Sequence, residues 1–508
     1  MNLRFFLFLI ILITNEVGQA QNTIPSLARV TEYLSPVPDF TPLATLNPAL
    51  QYYHYEYSYT ELSLTGNYRK ADRAQIMQEG NGWKGFHIQA RSWNKLNNNS
   101  CVWGEALYQN GRTANVRWNE TSDFQTVYPY IMADTIGGDL QSETYRFQGG
   151  YARDHRHFTW GAVLAYKAIM EYRKKDPRPR NIVSDLDIKA GIAWKIGGNY
   201  VVGTSIRARK YKQTNNVRFF SELGVYEVYH MSGLGMNYVR FSGTNNNTYY
   251  KGHTLDGSIE LYPRTKQGIS LSVRYDRFTF EKILSDLNNL PLNKVTENDL
   301  QGEAGWQHRY GLQYWGIRLS GRIKKRKGIE NLFGDPVSNA YPQIGKVEQY
   351  TDRQIEANVI LLYENRQKTR FGWNIRPTAG YRKIKESYLS PARQMIYDEI
   401  NAGLQLQTVH IFGKACLLHL TATGTHFQNL SSDLQLNSLD DNHKLNEMLY
   451  SNYEMLSSNR TTLALSARCD YSGWLNNKTV FTQIQWQYNR WKSDIKSDYF
   501  SVSLGIVL

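Results

Sequence analysis

The stretch that decides the fold is the last one: Ser497-Asp498-Tyr499-Phe500-Ser501-Val502-Ser503-Leu504-Gly505-Ile506-Val507-Leu508. Phe500, Val502, Leu504, Ile506 and Leu508 form one apolar row, with Ser501, Ser503 and Gly505 opposite. That is the period of two at which successive side chains of a strand point to opposite faces. Upstream, Phe158, Trp160, Ala162, Leu164 and Tyr166 alternate with Thr159, Gly161, Ala165 and Lys167. Leu186, Ile188, Ala190, Ile192, Trp194 and Ile196 alternate with Asp187, Lys189 and Lys195. Trp315, Ile317, Leu319 and Ile323 do so with Arg318, Ser320, Arg322 and Lys324, and Phe371, Trp373, Ile375, Ala379 and Tyr381 with Asn374, Arg376, Thr378 and Arg382.

A soluble β-sandwich and a transmembrane barrel both produce such rows, the first with its apolar row inside and the second with it facing lipid. Length and connections separate them. The rows run about 10 to 15 residues, longer than soluble strands and enough for a tilted membrane crossing. Short turns fall near Asp154-His155, Gly197-Gly198, Pro263 to Gln267, Gly311, Asn365 to Lys368, Gly413 and Gly473 to Asn477. Polar segments fall between them, over residues 110 to 142, 172 to 184, 213 to 249, 283 to 298, 326 to 352, 384 to 394 and 428 to 458. Short turns alternating with long loops predict an all-β, antiparallel up-and-down transmembrane barrel. Counting back from the final strand to a first one near Tyr53 gives about 18 strands, within a range of about 14 to 18, with both termini periplasmic. Tyr52, Tyr53, Tyr55, Tyr57 and Tyr59, with Trp486, Tyr488 and Trp491, are candidates for interfacial girdles.

The composition fits. Of 508 residues 41% are hydrophobic and 13% aromatic, with 36 Tyr. Beyond the N-terminus there is no apolar run of the roughly 20 residues that a transmembrane helix needs. Three Cys rule out a disulfide-dense scaffold. Residues 1 to 20 read as a signal peptide, with Arg4, an apolar core from Phe5 to Ile13 and Gly18-Gln19-Ala20 before the cut. Residues 21 to 50 then form an N-terminal arm or plug, in which Pro36, Pro38, Pro42 and Pro48 predict no regular structure, read as a lead-in in preference to a plug, and residues 51 to 508 the barrel. Export removes nucleic acid as a partner for the net charge of +14 and leaves lipid phosphates and solutes.

Asn110-Gly111, Asn115-Val116, Trp118-Asn119-Glu120, Asp134-Thr135-Ile136-Gly137-Gly138, Ala165-Tyr166 through Tyr172-Arg173, Asp176-Pro177-Arg178-Pro179-Arg180-Asn181, Val183-Ser184-Asp185-Leu186 and Tyr229-His230-Met231-Ser232-Gly233-Leu234-Gly235-Met236 carry a resemblance. The chain resembles an uncharacterised family of outer-membrane β-barrels of the Bacteroidota. The resemblance implies an outer-membrane location, a gene beside a TonB-dependent receptor and a role linked to uptake. Leu508 departs from the aromatic residue that usually ends such chains.

Function is carried by fewer residues. Arg207, Arg209, Arg274, Arg318, Arg322, Arg376, Arg382 and Arg468 fall on the polar rows and predict a basic lumen that favours anions. The competing reading pairs each with a carboxylate such as Asp187, Asp276, Glu356 or Asp470. Lys324, Lys325, Arg326 and Lys327 are a candidate rim for lipopolysaccharide phosphates. Cys416 and Cys469 are expected as near-opposite neighbours on the lipid face, either a cross-strand disulfide or two small apolar residues. Enzyme signatures are poor. His155 and His157 lack further metal ligands, Asp440, Asp441 and His443 have no defined geometry, and Gly473 to Thr479 fails the phosphate-loop pattern. The expected function is a non-enzymatic channel or solute-uptake barrel without a cofactor. The alternatives are a closed accessory subunit of an envelope complex and an outer-membrane hydrolase using His443 or His426.

Overall fold

The computed structural model describes residues 26 to 508 except 222–226, 244–246, 339, 367–370, 414, 439–442 and 476–477. Eighteen antiparallel strands form one sheet, from Tyr59–Ala71 to Lys496–Val507. The first and last pair with each other, from Glu61 opposite Val507 to Ala71 opposite Ser497, so the sheet closes. Closure leaves no edge with unpaired amides, which a bilayer core requires. No helix among the described residues is long and apolar enough to cross a membrane; the strands do the crossing.

Alternation sorts the side chains. Leu64, Leu164, Ile188, Ile206, Leu255, Leu319 and Leu504 are exposed on the outer face, while Thr65, Lys189, Ser205, Ser258, Arg274 and Glu303 are buried within the lumen. Aromatic residues ring the short-turn end from outside: Trp160, Trp194, Tyr310, Trp315, Trp373 and Trp474 are all exposed, and Trp315, Tyr363 and Trp373 pack ring to ring with centroids 4.4 and 5.2 Å apart.

Three expectations need correction. The first strand begins at Tyr59, not near Tyr53, and the tyrosines before it are no girdle: Tyr52 donates to the Asn98 carbonyl at 2.6 Å, and the Tyr53 hydroxyl lies 2.6 Å from Thr159 Oγ1. Segments 172 to 184, 283 to 298, 326 to 352 and 384 to 394 are mostly strand, because Phe158–Arg173, Arg178–Ile196, Gly268–Leu284, Leu290–Tyr310, Gln313–Phe333, Gln343–Arg366, Phe371–Tyr388 and Arg393–Phe412 run on past the apolar belt with polar residues on both faces. The arm carries regular structure, a helix over Ser26–Tyr33 and short helical turns at Pro42–Thr45 and Pro48–Tyr53. Each turn starts on the proline itself, whose missing amide hydrogen has no helical partner at that position.

Candidate functional site

The lumen is filled from both ends. At the short-turn end the arm folds inside the wall. Val30 and Leu27 pack with Tyr59, Leu417, Phe481 and Val507; Phe40 and Val37 with Tyr314 and Leu362; Ala44, Ala49 and Leu50 with Ala193, Val201 and Tyr262. Its polar groups find wall partners: Asn47 Nδ2 donates to Glu260 at 2.8 Å, the Leu43 amide to Glu303 at 3.2 Å, and Arg318 Nη1 to the Phe40 carbonyl at 2.8 Å. Glu32 accepts from the amides of Glu56 and Tyr57 at 2.8 and 3.0 Å, closing the arm on itself before the first strand.

What admits the arm is a set of inward glycines. A Cβ at Gly161 would meet the Pro48 carbonyl carbon and oxygen at 2.5 Å, at Gly305 Thr41 Cγ2 at 2.6 Å, at Gly316 Phe40 Cε1 at 2.8 Å and at Gly203 Asn47 Nδ2 at 2.9 Å; Gly191 also abuts Asn47. A Cβ carbon does not rest this close to a non-bonded heavy atom, so a side chain at Gly161 must displace arm backbone and one at the other four must displace an arm side chain.

At the other end the long loop before the strand Gly138–Asp154 turns inward. Trp118, Val127, Tyr130, Ile131 and Ala133 join Met231 and Leu234 of a second loop and Leu445, Met448 and Leu449 of the helix His443–Ser457 in one core against wall residues Tyr211, Tyr250, Phe280 and Tyr350. Charged wall residues hold the loop. Arg173 reaches both Glu120 and Asp134, the latter at 2.7 Å. Lys282 Nζ donates to the Ile131 carbonyl at 2.8 Å, and Arg326 Nη1 to those of Gln125 and Tyr128 at 3.0 and 2.6 Å. Burial, opposed by the amides of Gly137 and Ile136, pushes the Asp134 carboxyl up to about 6.

Between these fillings lie polar spaces. A cavity of about 450 Å³ is bounded by Leu46, Pro48 and Gln51 of the arm and by Arg146, Lys167, Lys189, Arg207 and Arg274. A second, of about 390 Å³, lies beside the outer filling and is lined by Arg69, Gln487, Asn489 and Tyr499.

The eight arginines on the polar rows all reach inward partners, and seven stand within 4.0 Å of a carboxylate. Arg207 meets Asp187 at 2.9 Å, Arg209 grips Asp185 with two bonds of 2.7 and 2.8 Å, Arg274 contacts Asp256, and Arg322 reaches Asp299 at 2.6 Å. Arg318 lies 4.0 Å from Glu303, Arg382 3.4 Å from Glu356, and Arg468 2.8 Å from Glu61 and 2.9 Å from Asp470. Arg376 bonds the amide oxygen of Gln405. Seven of the eight are therefore ion-paired, and Arg376 is held by an amide.

The basic run at 324 to 327 is not a single rim. Alternation turns Lys324 and Arg326 inward, where both face Glu297 at 3.9 and 2.6 Å, and leaves Lys325 and Lys327 outside, the latter 2.9 Å from Glu348. Cys416 lies opposite Tyr471 and Cys469 opposite Leu418, so the two cysteines are diagonal neighbours with Sγ atoms 3.7 Å apart and both thiols free. Asp440, Asp441 and the His443 side chain fall outside the described residues. His426 Nδ1 contacts Thr461 Oγ1 at 2.9 Å.

Residues 48–508 match DUF6850, a family of unknown function. The chain belongs to that family. No curated protein matches it. Among solved structures, the DUF6850 chain is similar to the ferric preacinetobactin receptor BauA of Acinetobacter baumannii, at 10% identity over 88% of this chain and 80% of that one, TM-score 0.39. It is also similar to the outer membrane transporter YddB of Escherichia coli, at 6% identity over 89% and 81%, TM-score 0.41. At these values the likeness carries no functional inference. The loop residues Glu120, Asp134 and Met231, whose motifs mark the chain's resemblance to a family, are among those that fill the DUF6850 barrel at its long-loop end. Sequence reasoning missed that role, although Tyr128, Tyr130, Ile131 and Met132 are more apolar than a solvated loop needs to be.

Proposed function

We propose that this protein is an outer-membrane barrel for uptake of a polar solute, held shut at rest by its own N-terminal arm. The observation that carries the reading is the glycine seat, since five inward positions give up their side chains where the arm rests. The arm is held by apolar packing, by hydrogen bonds to Glu260, Glu303 and Arg318 and by one loose ion pair, Glu32 with Lys266 at 3.9 Å, whereas the loop at the other end is tied by the fully buried pairing of Arg173 with Glu120 and Asp134. The arm is therefore the filling that moves at lower cost. Arm and C-terminus lie together at the short-turn end, with Arg29 Nη1 3.3 Å from the Leu508 carbonyl, which fits a periplasmic position for both. The paired lumen suits polar, weakly charged solutes better than it selects anions. Deleting residues 26 to 50 is expected to turn a silent barrel into a conducting one in planar bilayers. A shortened barrel that folds and stays silent removes the gate.

A second reading, a permanently closed accessory subunit of an envelope complex such as one built on a TonB-dependent receptor, draws on the ionic ties of the outer loop. It predicts a silent shortened barrel that co-purifies with an intact partner complex.

A further inference from the structure

The lumen and the outer face treat cations differently. Inside, most cations stand beside a carboxylate. On the outer face, at the long-loop end of the apolar belt, Lys327 pairs with Glu348, but six other cations stand within 4.0 Å of no carboxylate among the described residues. Arg277 lies opposite Asn298, Asn298 opposite Lys325, Lys325 opposite Arg353, and Arg353 opposite Lys385, one register row across five neighbouring strands. Lys251, on the next strand and four residues along from the Leu255 that faces Arg277, lies opposite Glu281 on one side and Lys212 on the other. All six cations are exposed, and their neighbours one step down each strand face the lipid side: Ile323 below Lys325, Tyr275 below Arg277. Among the described residues none of the six has an ion pair, and Glu281, Glu348 and Asp398, the carboxylates on the same face nearby, stand beyond that range.

Like charges directly opposite on one sheet face destabilise the pairing, and the fold places them so twice in succession, Lys325 with Arg353 and Arg353 with Lys385, and once more at Lys212 and Lys251. In that arrangement anions supplied from outside turn repulsion into attraction. Its height selects which ones: the row sits where the hydrocarbon belt ends and headgroups begin, and closely spaced cations there match phosphates. We propose that Lys325, Arg353 and Lys385, extended by Arg277, Lys251 and Lys212, form a binding site for the phosphate-bearing headgroup of an outer-leaflet glycolipid. The proposal rests on the orientation in which the long loops face outward, but not on the gate.

Native mass spectrometry of the full-length barrel tests it, with diphosphoryl lipid A and its dephosphorylated form as probes and inorganic phosphate as competitor. The variant Lys325→Gln/Arg353→Gln/Lys385→Gln is expected to lose diphosphoryl lipid adducts by roughly 10- to 100-fold, while Lys478→Gln at the short-turn end keeps them. Heat-modifiable gel migration checks that each variant is folded. Unchanged adducts in the folded triple variant, or equal binding of the dephosphorylated lipid, overturns the site. Full displacement by inorganic phosphate overturns the lipid as its ligand. Bilayer conductance of the shortened barrel reads the gate separately, so either idea fails without the other.

Discussion

Replacing Gly161 and Gly316 together by alanine is the sharpest probe of the arm's seat. At Gly161 the new methyl would stand 2.5 Å from the Pro48 carbonyl and 2.8 Å from the Ala49 amide nitrogen, all backbone atoms of the arm. At Gly316 it would stand 2.8 Å from the Phe40 ring. Ordinary contact needs about 3.5 Å, so the arm must recede by about 1 Å at Pro48. The wall has no such freedom, because Gly161 lies in the ladder opposite Ala152 and Gly191. Overpacking of this kind costs about 1 to 3 kcal/mol per site. The two sites touch different parts of the arm, so the costs sum to about 2 to 6 kcal/mol, or roughly 30-fold to 10⁴-fold in arm seating. Single-channel recording in planar bilayers reads this as a rise in open probability over the wild type. Gly302→Ala is the control, since a Cβ there meets nothing within 4 Å. A folded double variant as silent as the wild type, beside a conducting shortened barrel, refutes the seat. So does an equal rise for Gly302→Ala.

Other outcomes follow from the same geometry. Arg173→Met leaves Glu120 and Asp134 buried without their cation and is expected to cost about 3 to 5 kcal/mol in anchoring of the outer loop, read as faster hydrogen exchange over residues 120 to 134. The Asp134 carboxyl titrates near 3.8 unfolded and about 6 folded, so the folded state holds the proton more tightly. Its contribution is full below about 3.8 and is lost as pH rises through 6, at most about 3 kcal/mol, and Asp134→Asn should flatten the loop's protection between pH 4 and 7. In the shortened barrel Arg322→Gln strips Asp299 of its partner and should move ion preference towards cations, measured as a reversal-potential shift; no shift would mean that Asp299 does not face the conducting path. Phospholipid and peptide hydrolysis should be absent in the wild type and in His443→Ala and His426→Ala alike, and activity lost in either variant would restore the hydrolase reading.

The strands and their number were legible in the sequence, because a period of two is a local property and each strand repeats it against the same lipid, while the long-loop class was read too broadly, since strands that continue past the apolar belt lose the pattern. The partners of the inward residues were not. Arg318 shows why: its alternation places it in the lumen, but only the closed barrel brings Glu303 and the Phe40 carbonyl to it. Gly161, Gly191, Gly203, Gly305 and Gly316 read as unremarkable glycines in strands until the arm is seen against them, more than a hundred residues away in the chain. Lys324 to Lys327 read as one basic run, yet alternation splits it between lumen and lipid, and the cations that line up beside Lys325 come from other strands. What the sequence determined alone was therefore the barrel and its outward face, since both follow from spacing along single strands. Closure and register decided the filled lumen, the paired arginines and the place of the unpaired positive charge on the outer rim, because each depends on which strand lies beside which.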